Sequence, residues 1–362
     1  MALRIAQVAP LAESVPPRGY GGTERVCSWL TEELVRQGHD VTLFASADSM
    51  TSAELAPCCP SALRGAGVHN HAPSLLLMLD RVRRLADSFD VIHFHVDLYQ
   101  FPLFQDLAWK SLTTLHGRMD LREMHTVYRA FSRMPLVSIS DAQRRPIADA
   151  NWVATVPHGM PGSLIPYSAG GGEYLAFLGR VSPEKGPDRA IEIAIRAGIP
   201  LKIAAKVDPV DQQYFDAAVR PWLDHPLIDF LGEVDDVQKR AFLGGARALL
   251  FPIRWPEPFG LAMIEAMAAG TPVIAWRNGS VPEVVDPGVT GFIVESIDQA
   301  VEALDRVSVL DRMNVRRRFE QRFAVERMAD DYLALYRQAA DVADGRLIAR
   351  AGPRAGERVL GL

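Results

Sequence analysis

Along this chain, short unbroken apolar runs alternate with longer stretches whose apolar residues recur at helical spacing. The run at 4–8 predicts a first strand. A Pro- and Gly-rich loop through Gly21 and Gly22 follows, and then Val26, Leu30, Leu34 and Val35 set a helical period that closes at Gly38. Residues 39–45 read as the next strand. The result is a strand–helix–strand unit whose glycine turn can bring bare backbone amides against an anion. Residues 51–73 mix Pro, Ser and His without periodicity and read as a long connection. A helix over 75–89 is predicted next, with Arg81, Arg83 and Arg84 near its end, followed by buried-type strands at 90–96, 111–117, 136–140 and 155–159. Gly170, Gly171 and Gly172 form the clearest linker, after which the pattern restarts: a strand at 174–178, a helix from Asp188, strands at 201–205 and 248–253, and helices within 312–338. Alternation of this kind gives the α/β class with doubly wound parallel sheets, one domain over 1–166 and a second over 173–325, with a flexible tail at 343–362.

The stretch 256–272 carries the most chemistry. Glu257 lies between Pro256 and Pro258, whose rings restrict the backbone on both sides, so its carboxylate sits on a stiff loop. From Phe259 a short helix is predicted, since Leu261, Ile264 and Ala268 recur at helical spacing and Gly270 with Pro272 marks its stop. Gly260 removes a side chain from the first turn, where free N–H groups and the positive helix end hold an anion such as a phosphate. Glu265 follows about one and a half turns further in. Carboxylates on either side of an anion site suit a ligand with hydroxyls on both sides of a phosphate, which is the layout of a nucleotide-sugar. On these residues alone, a buried amphipathic helix with two glutamates on its wet edges is an equally open reading. In the turn after the 174–178 strand, Arg180 and Lys185 stand near glycines, a fork donor and a point charge suited to a diphosphate; the plainer alternative is a charged surface turn. His93 and His95 alternate with Ile92 and Phe94 and read as ordinary strand positions. His116 closes its strand, at the end where ligands of open parallel sheets gather.

Composition narrows the classes. A chain of 362 residues, 48% hydrophobic and 23% charged, suits two globular domains. Its net charge of −5 offers no basic footprint for nucleic acid. No apolar run approaches the ~20 residues of a membrane span, and the start lacks the apolar core of a signal peptide, so the expected location is the cytoplasm. Three arginines on the 75–89 helix leave peripheral contact with the inner membrane face open, although a solvated face is the plainer reading. The three cysteines, Cys58 and Cys59 adjacent, have the spacing of neither a disulfide framework nor a zinc site.

Glu257-Pro-Phe-Gly with Glu265 after seven intervening residues resembles the signature of retaining glycosyltransferase family 4. Gly21-Gly22 followed by Glu24, His116-Gly117, and Gly179-Arg180 followed by Glu184-Lys185-Gly186 are similar to further motifs of that family, and the resemblance runs from about residue 4 to 340. It implies the GT-B fold, two Rossmann-like domains facing a cleft, with a final helix at 326–342 crossing back to the first domain. It also implies transfer of a hexose from a UDP- or GDP-linked donor to a glycan, lipid-linked or small-molecule acceptor, with retention and with neither cofactor nor metal. In the implied site, His116 and Glu257 are catalytic, the first over the donor sugar and the second positioning its hydroxyls. Gly21, Gly22, Arg180, Lys185, Phe259, Gly260 and Leu261 face the diphosphate, Glu265 the ribose, and the region of Gly232 and Val234 the nucleobase. The family's Pro-Asn-Gly is here Pro157-His158-Gly159, and His158 is given no role. The rival readings are a nucleotide-sugar 2-epimerase of the same architecture and a non-catalytic nucleotide-sugar-binding protein.

Overall fold

A computed structural model describes residues 2–343. Its first sheet comprises β1 (Arg4–Val8), β2 (Asp40–Ser46), β3 (Glu54–Cys59), β4 (Val91–Phe94), β5 (Ser111–Thr114), β6 (Leu136–Ser138) and β7 (Trp152–Thr155), in the order β3-β2-β1-β4-β5-β6-β7. The second comprises β8 (Tyr174–Arg180), β9 (Leu201–Lys206), β10 (Ile228–Gly232), β11 (Ala246–Phe251), β12 (Val273–Trp276) and β13 (Gly291–Val294), in the order β10-β9-β8-β11-β12-β13. Every pairing is parallel. In each sheet the chain winds outward from the first strand and then reverses, so the loops after β1 and β4, and after β8 and β11, diverge and leave a crevice beyond the strands' carboxyl ends.

The apolar periods explain the packing. The helix Gly22–Arg36 buries Val26, Leu30 and Leu34 against the first sheet's core, as their spacing requires. The inner strands such as β4 and β12 are buried on both faces because helices cover both faces of a parallel sheet, whereas the edge strands β3, β7 and β10 are partly exposed.

Several predicted elements need correction: the strand expected at 111–117 ends at Thr114, so His116 lies in the loop just beyond it rather than closing it. The supposed connection 51–73 contains β3, an edge strand paired only with β2. Pro57 and the pair Cys58-Cys59 hide its period, and an edge tolerates a proline because one side has no ladder to supply. The strand expected at 155–159 ends at Thr155 instead, before Pro157, which has no N–H to give. The helix expected over 75–89 runs from Ala72 to Arg84, with Pro73 in its first turn, where a missing N–H costs nothing.

The last described helix, Val325–Ala343, packs against the Gly22–Arg36 helix and β4 and buries Tyr332 and Tyr336 fully. The expected tail from 344 onward lies outside the described residues. Among the described residues no helix is long and apolar enough to cross a membrane.

Candidate active site

The loops after β1, β5, β8 and β11 line one cavity of about 480 Å³. Arg180, at the end of β8, is held only loosely, 3.7 Å from Asp208, 3.8 Å from Glu184 and 3.9 Å from Asp211. Its guanidinium is therefore available to an anion. Lys185 donates to Oε2 of Glu257 at 2.5 Å, and the indole N–H of Trp255 donates to the same oxygen at 2.8 Å. The stiff loop predicted around Glu257 is supported from below by Gly279 (φ 52), whose α-carbon lies so close to the backbone of Glu257 that a Cβ would collide with it. Ser280 N–H, next in sequence, donates to the carbonyl of Glu257 at 2.9 Å.

The expected helix begins at Leu261 rather than Phe259. Gly260 caps it in the left-handed region, φ 86, where a side chain would meet Met263 and Phe251. Its free N–H groups open onto the cavity across from Gly22, whose missing side chain would lie 3.7 Å from Leu261. Glu265 accepts from Lys239 at 2.9 Å, Lys239 is 3.4 Å from Asp236, and Asp236 pairs with Arg25 of the first domain at 2.6 Å. Burial would raise the Asp236 pKa, but Arg25 and Lys239 outweigh it and hold the carboxyl below its ordinary value. Val234 and Glu233 line the cavity, whereas Gly232 (φ 72) turns the chain at the end of β10 without lining it.

His116 joins a row of rings: it stacks on His158 at 5.1 Å between centroids and lies 5.1 Å from His95, which lies 4.1 Å from His93. Gln7 Oε1 can only accept, so Nε2 of His95, 2.8 Å away, carries the proton, and Nδ1 of His95 accepts from Nε2–H of His116 at 2.8 Å. This leaves Nδ1 of His116 a lone-pair acceptor, and it has no partner among the described residues. Burial pushes the His116 pKa down to about 3 and those of His93, His95 and His158 well below the usual value, so the row is neutral.

Residues 20–158 match the family described as Glycosyltransferase Family 4, and residues 167–323 that described as Glycosyl transferases group 1. The chain belongs to the family 4, group 1 glycosyltransferases. It is 28% identical over 352 residues to the phosphatidyl-myo-inositol mannosyltransferase of Mycobacterium leprae (strain TN), which covers 88% of this chain and 90% of that protein. Its fold matches AviGT4, a glycosyltransferase involved in avilamycin A biosynthesis, with a TM-score of 0.73 at 24% identity over 94% and 98% of the two chains. It also matches Anabaena Alr3699/HepE in complex with UDP-glucose, with a TM-score of 0.67 at 17% identity over 95% and 100%. The architecture is therefore GT-B.

Within this glycosyltransferase, all the singled-out residues except Gly232 line the cavity. Sequence reasoning missed Trp255, Lys239 and Arg25 and gave no role to His158. Of these only His158 carried a signal, its departure from Pro-Asn-Gly, and its ring sits between His116 and the edge of Phe259, 4.9 Å away.

Proposed function

We propose that the chain transfers a hexose from a nucleoside-diphosphate donor to an acceptor hydroxyl, with retention and without a metal ion, in glycan biosynthesis. The observation that carries this is the meeting of Arg180, Lys185 and the open N-terminus of the Leu261–Ala268 helix with Glu257 and Glu265 in one cavity. In the reaction the bond from the anomeric carbon to the phosphate oxygen breaks and its electrons leave with the diphosphate. The acceptor oxygen bonds to that carbon on the same face, and the acceptor proton passes to the departing phosphate. Charge grows on the diphosphate as the bond stretches, so two cations and a helix start aimed at it stabilise the transition state more than the bound donor. Glu257, already accepting from Lys185 and Trp255, is a weak nucleophile and a good acceptor for sugar hydroxyls, which favours same-face attack over a covalent intermediate. Glu265 would accept from the ribose hydroxyls, and Val234 would border the base. The names of the mannosyltransferase relative and the UDP-glucose complex support a nucleotide-sugar donor.

A thermal-shift screen with UDP-, GDP- and ADP-hexoses tests the donor, because a ligand that binds only the folded state raises apparent stability. Arg180→Ala should cost about 2–4 kcal/mol of transition-state stabilisation while leaving nucleoside binding nearly intact. Equal losses in nucleoside binding and turnover would refute the assignment. Product analysis without any acceptor excludes or reveals epimerisation at C2.

A further inference from the structure

A second cavity of about 250 Å³ opens beside the first and shares Pro10, Thr23 and His116 with it. It occupies the crevice beyond the carboxyl ends of β1 and β4, where the chain continues into Leu11 and into Val96 and Asp97. Leu11, Leu75, Val96 and the exposed ring of Tyr99 form the apolar part of its wall, and His71, His95, His116 and Thr23 the polar part beside Asp97. Asp97 is the one non-glycine residue with positive φ, 57°, among the described residues. Aspartate tolerates the left-handed region better than most side chains, yet strain is still stored there, and such strain gathers at ligand sites. The backbone carbonyl of Asp97 accepts from Gln100 Nε2 at 2.9 Å, while its carboxylate finds no partner among the described residues. Asp97 is an exposed residue of the cavity's lining, so its carboxylate is accessible to a molecule that enters there. No lysine or arginine lines this cavity. Arg118, beside the wall residue Gly117, is committed to Asp120 at 2.7 Å and Glu184 at 2.9 Å, and Arg64 is committed to Glu13 at 2.6 Å.

We propose that this cavity receives the acceptor and selects a neutral, hydroxyl-rich one, with Asp97 accepting a hydrogen bond from an acceptor hydroxyl and disfavouring phosphorylated molecules. The proposal rests on the donor assignment above. A pyranoside or polyol offers a hydroxyl to the carboxylate and its C–H face to Leu75 and Tyr99, the mix of apolar wall and few polar groups typical of small-molecule sites. A phosphate entering the same space would meet a like charge and neither lysine nor arginine in the lining to compensate its desolvation. The shared His116 brings the acceptor's reacting hydroxyl to the donor sugar.

Thermal shift with the UDP-, GDP- and ADP-hexoses reads the donor cavity alone. With the donor that binds, transfer is then measured to methyl and p-nitrophenyl glycosides, to myo-inositol, to glucose 6-phosphate and to vesicles containing phosphatidylinositol. Neutral acceptors should be used with a kcat/KM at least ~10-fold above the phosphorylated ones. Asp97→Asn should raise the acceptor KM ~10- to 100-fold, the range for losing a charged hydrogen bond, with the nucleotide shift unchanged. Asp97→Lys should move the preference toward phosphorylated acceptors. Asp97→Gly, which suits the backbone and lacks the carboxylate, should behave as Asp97→Asn and melt near wild type, which separates lost binding from lost folding. Three results would overturn the acceptor proposal and leave the donor reading standing: wild-type preference for phosphorylated acceptors, failure of every neutral compound, or unchanged acceptor kinetics in Asp97→Asn with the nucleotide shift intact. Absence of any nucleotide shift in the wild type would overturn the donor reading and this proposal with it.

Discussion

Lys185 and Trp255 both donate to Oε2 of Glu257, which leaves Oε1 toward the cavity, whereas Lys239 holds Oε1 of Glu265 further along the same loop-and-helix unit. The two carboxylates thus have similar partners but different supports. Glu257 stands on a proline-stiffened loop next to Lys185, where the proposed sugar hydroxyl contact would tighten as the ring flattens and charge develops. Glu265 stands on the helix body, where the proposed ribose contact would be made equally before and during reaction. Uniform binding lowers KM without raising kcat, and binding reserved for the transition state raises kcat. Glu257→Gln should therefore lower kcat by about 10²-fold, close to 3 kcal/mol, and Glu265→Gln should mainly raise the donor KM, by roughly 10-fold. Glutamine keeps an oxygen for Lys185 and Trp255, so both variants should melt near wild type in a circular-dichroism scan. Full turnover in Glu257→Gln on the true substrates would remove the central role given to that residue.

At the scale of elements, β4, β5 and the Val325–Ala343 helix are joined by a polar chain inside an apolar shell. Gln7 Nε2 donates to the Tyr336 hydroxyl at 3.0 Å, which donates to Nδ1 of His93 at 2.6 Å. Nε2–H of His93 donates to Thr114 at 2.7 Å, and Thr114 donates to the Tyr332 hydroxyl at 2.8 Å. The chain ties the last helix to the first domain, and its acid sensitivity follows from burial. His93 is fully buried, and its folded pKa lies well below the unfolded value of 6.5. Below pH 6.5 the unfolded chain takes up a proton that the folded one refuses, so this contribution is present above 6.5 and lost as pH falls. For His93 alone, stability should drop by about 1 kcal/mol between pH 6.5 and 5.5. Urea unfolding of wild type and His93→Gln at both pH values measures it. The same drop in the variant would mean that His93 titrates freely in the folded state.

Across the whole molecule, the two domains touch at several edges of the cleft. Tyr20 N–H donates to Glu233 Oε1 at 2.7 Å, Arg25 pairs with Asp236 at 2.6 Å, and Ser140 Oγ donates to the Pro258 carbonyl at 2.6 Å. The Glu283 carboxylate accepts from the N–H groups of Asp141 and Ala142, each at 2.7 Å. These contacts tie the two walls of the cleft together around the loops that carry the site, and in the proposed reaction closure would keep water from an activated sugar. Arg25 belongs to both walls, since it ends the chain Glu265–Lys239–Asp236 that starts at the proposed ribose contact. Arg25→Ala should enlarge the radius of gyration measured by X-ray scattering with UDP bound and should raise donor hydrolysis relative to transfer several-fold. Identical scattering curves and an unchanged hydrolysis ratio would show that closure does not depend on this tie.

The strands at 4–8 and 174–178, the helix at 22–36 and the stiff Glu257 loop were legible because each follows from local causes: apolar period, proline rings, glycine turns. Arg180, Lys185 and His116 were legible as candidates because loops at the carboxyl ends of parallel strands are where such sheets take ligands, and Glu257 because two prolines and the resemblance of Glu-Pro-Phe-Gly marked it. β3 was not, because an edge strand needs neither alternation nor freedom from proline, and the sequence then carries no period to read. Nor was the pairing of Lys185 with Glu257, 72 residues apart, or of Lys239 with Glu265. The tautomer of His116, fixed by Gln7 through His95, and the exposure of Asp97 to a second cavity were equally hidden. Those facts depend on which strand lies beside which and how two domains face each other. The sequence determined the elements and the turns that bear charge; only packing between distant elements decided which charges meet, because pairing energy depends on distances and desolvation that exist only once the chain is folded.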